Sequence, residues 1–564
     1  MNLNFFVLYT ILTVFSASTA LEYAPIVNTK HGQIRGLINT VGLWTKSYFY
    51  QGIRYATAER FSKPVRVESF DEEIYDATKE RNSCPQFLNG LGNTDVHHMT
   101  NKSEDCLFLN IFKPIPNIED DDAKLLPVMV WFYGGGFQCG TIFFPLYDGT
   151  YLANYGNVIV VSINYRVGPF GFLYAGTEDV PGNQAFYDQI MGLEWVRDNI
   201  KSFGGDPDQV TIFGESAGSF SVSTLVISPL AKGLFRRAIM QSGSMVPTIR
   251  FSNKQGAIDK TLKLAKDLNC EQQEMSKIIK CLRSKSMEEI KNVATDSIEK
   301  MISNQMIGPI IGDAVLPKDV SRFQHGSNGP VDILFGVTRD EGSFFVVHFL
   351  PELKDNNIQM SEDKIRENIR KILSFYHIQD HEEIENYYIK RIDTTDYNQV
   401  RKMFSDLFGD LRFNCPVMLY GKQMARANPK NRFYAYRFDR RTILADRMHC
   451  DEWMNGCQNG WVIRFFYVFS HSMMTIYPRD SQLSIDVMNS WTRFANTGDP
   501  SPIGSMEWPE AFDDNELQSS MRWMIIDIDY KIENDIYKDV CETIWTKQYD
   551  DWFERNFSSQ KEEL

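Results

Sequence analysis

The feature that most constrains this chain is a set of short apolar runs, rich in β-branched and aromatic side chains, at residues 128–133, 158–165, 210–214 and 333–337. Each is followed by a glycine-containing turn. Runs this uniformly apolar suit strands buried on both faces, because a strand with one wet face would alternate polar and apolar residues. Between them the spacing changes to that of helices. Residues 183–199 open after Pro181-Gly182 with an apolar-periodic body, and Ile258, Leu262, Ala265 and Leu268 recur at helical spacing. Buried strands alternating with helices predict an α/β fold with a mostly parallel central sheet flanked by helices. Functional side chains in such sheets collect at the C-terminal ends of strands. Residues 354–395 are highly charged with helical spacing and are expected to form a surface excursion.

No repeat, low-complexity segment or Gly/Ser-rich linker divides the chain, so residues 21–560 are expected to form a single domain. With 564 residues, 43% hydrophobic and 23% charged, it has the composition of a globular protein large enough to fold without a stabilising metal or disulfide. A net charge of -14 argues against nucleic acid or an anionic membrane surface as a partner.

Both ends carry addresses. Residues 1–20 contain no charged side chain, hold an apolar stretch from Phe5 to Phe15 and close with Ser18-Thr19-Ala20, so they read as a signal peptide cleaved after Ala20. The apolar stretch is too short for a membrane anchor, and no later segment has 18 uninterrupted apolar residues, so no transmembrane anchor is expected. Residues 561–564, Lys-Glu-Glu-Leu, differ by one conservative step from a retrieval address and place the protein in the endoplasmic reticulum lumen; without retrieval it is secreted. Sequons at Asn101 and Asn556 fit glycosylation on that route. The nine cysteines are an odd number, and none shows a zinc-ligand spacing, so neither metal nor cofactor is expected.

Gly214-Glu215-Ser216-Ala217-Gly218 directly follows the run at 210–213 and precedes a helix-capable stretch. This is where a nucleophilic serine sits on a strained strand-to-helix turn, with glycines where side chains would clash. A helix starting behind Ser216 turns the Ala217 amide toward a developing oxyanion. Gly134-Gly135-Gly136, ending the apolar run from Val128, offers a second set of amides, and Gly135, Gly136 and Ala217 are the candidate oxyanion hole.

Glu104-Asp105-Cys106-Leu107-Phe108-Leu109-Asn110, the triple glycine, Asn164-Tyr165-Arg166, Phe203-Gly204-Gly205-Asp206-Pro207 and the Ser216 pentapeptide together resemble the type B carboxylesterase and cholinesterase family, along almost the whole mature length. Leu234 to Ile239, Gln241 to Ser244 and Asp340 to Phe345 are similar to its cholinesterase branch. The resemblance implies an α/β-hydrolase fold, serine esterase activity on a small ester, and disulfides Cys84–Cys106, Cys270–Cys281 and Cys415–Cys541. It also implies Glu341 as triad acid, which fits its place after the strand at 333–337 and downstream of Ser216.

The base has two registers. Five histidines follow Glu341: His348 lies close in the chain, and His377 and His381 fall in the charged excursion, leaving His449 and His471. Glu452-Trp453-Met454 aligns with a family motif whose histidine position is here Asn459, whereas His449-Cys450-Asp451-Glu452 resembles the His-Gly-Asp-Glu of other members. A working Ser216, His449 and Glu341 triad and an impaired, binding-type protein with Asn459 in the base position both remain open, with Cys450 and Cys457 flanking the loop. Val96, Ser303 and Gln305 stand where choline-binding and acyl-pocket aromatics occur in cholinesterases, so the expected substrate is a neutral carboxylic ester.

Overall fold

The computed structural model describes residues 21–41, 45–87, 101–116, 124–245, 251–294, 306–317, 329–354, 359–441, 478–512 and 520–555. Its centre is an eleven-stranded sheet. In chain order the strands are β1 (Leu37–Val41), β2 (Thr45–Arg54), β3 (Phe108–Pro114), β4 (Leu126–Phe132), β5 (Ile159–Ile163), β6 (Gly205–Glu215), β7 (Arg237–Gln241), β8 (Asp332–Thr338), β9 (Phe433–Phe438), β10 (Arg522–Ile526) and β11 (Lys531–Asn534). Across the sheet they run β1-β2-β3-β5-β4-β6-β7-β8-β9-β10-β11. The block from β5 to β10 is parallel, and the antiparallel pairs lie toward the two edges. Strands β5 and β7 are buried at every position, as expected for parallel strands covered on both faces.

The four apolar runs all lie on strands of this block, with shifted ends. The run at 158–165 leaves the sheet after Ile163, because Asn164 is drawn into a polar staple: its Oδ1 accepts from the Ile142 amide (3.1 Å) and its Nδ2 donates to the Cys106 carbonyl (3.1 Å). Arg166 then forms a buried fork with Asp188 on helix α1 (Gln184–Asn199), its Nε and Nη2 donating at 2.8 and 2.7 Å. Such a bidentate buried pair locks strand to helix, since either charge left alone would carry a large desolvation cost.

The helix expected from Ile258 to Leu268 forms, and the expectation for the charged stretch needs correction. In the helix Lys254–Asp267, Leu262 is 41% exposed, and the buried face is Ala257, Thr261, Leu264 and Ala265. The helix is turned by a polar anchor, Thr261 Oγ1 donating to the Tyr174 carbonyl at 2.7 Å. The charged stretch at 354–395 is more than a surface excursion: its helices Glu362–Phe375 and His381–Ile389 bury Ile365, Ile369, Ile372 and Ile384. Buried Glu385 takes a forked pair of hydrogen bonds from Arg370 (2.7 and 2.8 Å), so charge itself joins the two helices.

Candidate active site

The sheet delivers the candidate residues to one edge. Ser216 joins the end of β6 to helix α2 (Ala217–Ile227), at φ 51° and ψ −121°, a backbone conformation that costs an L-residue energy and persists only where packing imposes it. The packing is visible on both sides. A Cβ on Gly218 would lie 2.0 Å from the Phe132 carbonyl oxygen, and one on Gly214 2.6 Å from the Gly218 carbonyl carbon, so strand and helix meet at a separation only glycine permits. Ser216 N–H donates to the Gln241 carbonyl (3.0 Å), and Ser219 Oγ donates to the Gly243 carbonyl (2.6 Å), tying the elbow to the end of β7.

The triple glycine follows β4 and lies against this elbow: a Cβ on Gly134 would come within 3.2 Å of Ser216 Cβ. Gly135 has φ +118°, where a side chain would be strained, and its carbonyl accepts from the Gln138 and Cys139 amides (3.0 and 3.2 Å). Because a trans peptide sets its C=O and N–H in opposite directions, the Gly136 N–H points away from that turn. The loop is held from behind by Tyr133 and Tyr165, whose rings stack at 4.2 Å and whose hydroxyls each donate to the other's carbonyl at 2.5 Å.

Glu341 lies in the turn after β8, 1% exposed, with Oε1 accepting from the Thr338 amide at 2.7 Å. Its other oxygen, Oε2, is buried with no hydrogen-bond partner among the described residues. Burial pushes this carboxyl up to about 7, while the Ser242 hydroxyl and then the Thr338 hydrogen bond work the other way. Glu215, also buried, is raised well above the usual carboxylate range, by desolvation and then by the charge of Glu341. Two carboxyls therefore share one low-dielectric region beside Ser216, where a cation or a proton is strongly favoured. Glu215 was not singled out from the sequence, although it stands next to Ser216 in the elbow motif.

His348 is positioned by its own helix, its Nδ1 2.7 Å from the Phe344 carbonyl one turn earlier. His377 is exposed, and His381 Nε2 lies 2.7 Å from the Ile378 carbonyl. His449, Asn459, His471, Cys450, Cys457, Val96, Ser303, Gln305 and Asn556 lie outside the described residues. Asn101 is exposed. Disulfides join Cys84 to Cys106, Cys270 to Cys281 and Cys415 to Cys541, which fits a chain routed through an oxidising secretory compartment. Cys139 is buried, its sulfur 3.5 Å from the Gly135 carbonyl oxygen. Among the described residues, no helix is long and apolar enough to cross a membrane and no cluster of three or more acidic, His or Cys side chains is placed to hold a metal.

The large mixed sheet flanked by helices agrees with comparison to known proteins. The profile of the Carboxylesterase family matches residues 23–544. This chain belongs to the carboxylesterase family. Within the family it is similar to the Cholinesterase of Mus musculus, 36% identical over 500 residues that cover 86% of this chain and 81% of that one. It is also similar to the Acetylcholinesterase of Bungarus fasciatus, 34% identical over 504 residues (86% and 80%), and to that of Leptinotarsa decemlineata, 32% identical over 516 residues (86% and 80%). These relatives are carboxylic ester hydrolases, and the carboxylesterase family supports the same reaction class, serine ester hydrolysis, for this chain. Its motif residues also acquire physical roles here. Arg54 and Arg60 pair with Asp105 and Glu104, and Asn110 Oδ1 on β3 accepts from the Gly52 amide of β2 at 2.8 Å, tying those two strands together.

Proposed function

We propose that this protein is a serine carboxylesterase acting on small neutral esters, with Ser216 as nucleophile, His449 as base, Glu341 as the acid that orients it, and the amides of Gly135, Gly136 and Ala217 as the oxyanion hole. The observation that carries this reading is the strained Ser216 elbow at φ 51°, packed against the triple glycine. Ser216 Oγ attacks the ester carbonyl as its proton passes to the imidazole, the tetrahedral oxyanion is held by main-chain amides, and the alcohol leaves with the proton returned. Water repeats the sequence on the acyl-enzyme, releasing the acid. The unpartnered Oε2 of Glu341 is the acceptor that an imidazole N–H takes, and an imidazolium there offsets the cost of two buried carboxylates. The side chains at Val96, Ser303 and Gln305 supply no aromatic cage for a quaternary ammonium, which favours neutral substrates.

A second reading rests on Asn459. With an amide in the base position, Ser216 has no proton acceptor, turnover falls by on the order of 10⁴ to 10⁶, and the fold serves as a binding module. One experiment separates the two: fluorophosphonate labelling of Ser216 and hydrolysis of 4-nitrophenyl acetate by wild type, His449→Ala and Asn459→His. Labelling and turnover in wild type, lost in His449→Ala, support the esterase. Turnover only in Asn459→His supports the binding module. For the compartment, we propose retention in the endoplasmic reticulum lumen through residues 561–564, tested by the appearance of the protein in the medium when Leu564 is replaced by Ala.

A further inference from the structure

Resting on the esterase reading, the structure assigns Lys402 a role in the reaction: it is a positioning residue whose ammonium clamps Asp340 and thereby holds the turn that carries Glu341. Helix α3 (Tyr397–Gly409) packs so closely on that turn that a Cβ on Gly342 would lie 2.0 Å from the Ser405 carbonyl oxygen and 2.7 Å from the Gly409 amide nitrogen. The turn closes on itself through Ser343 N–H donating to the Asp340 carbonyl at 3.1 Å. Asp340, the residue before Glu341, is 2% exposed, with Arg339 Nε 3.2 Å away on one side and Lys402 Nζ 3.4 Å away on the other. Lys402 also touches the Asp406 carboxylate on its own helix. Arg339 belongs to the turn itself; Lys402 comes from a separate element, so its contact is the charged tie between turn and helix.

The electrostatic surroundings explain why a cation is needed there. Glu341 faces Asp340 on its own turn, Glu215 at the end of β6, and the hydroxyls of Tyr436 on β9 and Tyr537 near the C-terminus. Asp340 faces Arg339, Lys402 and Asp406; Asp410, which follows α3, is buried beside Asp406 and hydrogen-bonded by Tyr388 (2.8 Å) and Asn414 (2.9 Å). Without Lys402, the charge on Asp340 acts on Glu341 less compensated. That field favours protons on both members of a coupled carboxyl and imidazole pair, so the pair needs a higher pH to reach its active, deprotonated state. The Lys402 side chain is half-exposed, so solvent screens part of the effect.

The test is the pH profile of kcat/KM for 4-nitrophenyl acetate in wild type, Lys402→Met and Lys402→Arg, with circular dichroism as a folding check. Met keeps the apolar stem and removes the charge. The expected result is an acidic limb moved up by about half a pH unit in Lys402→Met, read as a roughly threefold loss below the limb and wild-type rates near pH 9, with Lys402→Arg restoring the profile. In the double variant Lys402→Met with Asp340→Asn, the limb returns toward wild type. An unmoved limb, or a loss equal at every pH and unrescued by Arg, overturns the assignment while leaving the esterase reading intact. A wild type that neither labels at Ser216 nor turns over at any pH overturns the esterase reading, and this one with it.

Discussion

Replacing Glu341 by Gln separates what its buried charge costs from what it does. The folded carboxyl titrates at about 7 against an ordinary 4.5, because burial disfavours the ionised form. A raised folded pKa means the folded protein holds its proton more tightly than the unfolded chain does. Stability from this group is therefore complete below about pH 4.5 and is lost as pH rises through about 7. Each pH unit in that window is worth about 1.4 kcal/mol, so about 3 kcal/mol is gone by pH 8, less whatever a neighbouring imidazolium returns. Glu341→Gln keeps an acceptor for the Thr338 amide and cannot ionise. Over about 540 residues, an unfolding entropy of roughly 2 cal/mol/K per residue makes 3 kcal/mol equal to a Tm shift of about 3 °C. Scanning fluorimetry at pH 5 and pH 8 should show the variant matching wild type at the lower pH and about 2 to 3 °C above it at the higher, while turnover falls by on the order of 10⁴. An equal Tm difference at both pH values refutes the reasoning, because the cost would then not be one of ionisation.

Three further outcomes follow from particular contacts. Gly218→Ala should cost about 3 kcal/mol or more in denaturant midpoint and abolish Ser216 labelling, since its Cβ would meet the Phe132 carbonyl at 2.0 Å with backbone on both sides unable to yield. Tyr133→Phe should cost about 1 to 3 kcal/mol, because the buried Tyr165 carbonyl loses its donor at 2.5 Å; a double-mutant cycle with Tyr165→Phe should show non-additivity through the shared clamp. His31 is buried between the rings of Phe70 and Trp195, with neither ring nitrogen hydrogen-bonded among the described residues, and burial lowers its pKa. The unfolded chain then takes the proton more readily, so stability falls as pH drops below about 6.5, and the urea midpoint of His31→Phe should decline less between pH 7.5 and 5.5 than that of wild type.

Much of the fold was legible in residue order because periodicity and turn chemistry are local. The runs at 128–133 and 210–214 could be placed on buried strands, and the pentapeptide around Ser216 on a strand-to-helix turn, without any knowledge of neighbours. The buried face of the helix at 254–267 was not legible for the opposite reason: Thr261 is turned inward by the carbonyl of Tyr174, 87 residues earlier in the chain, and no local pattern reports that bond. Glu385 was hidden in the same way, a carboxylate that reads as solvated until two arginines of the adjacent helix, Arg366 and Arg370, are found around it.

By itself the sequence determined the α/β class, the elbow, the glycine loop and the family, because each depends on which residues tolerate a given backbone at a given place in the chain. Only the tertiary structure decided the electrostatics of the site. Burial of Glu215 and Glu341 together, the Oε2 acceptor left without a hydrogen-bond partner among the described residues, and the cations that grip Asp340 come from β6, the turn after β8 and helix α3. The energy of a charge is set by what is packed around it, and that is a property of the folded chain.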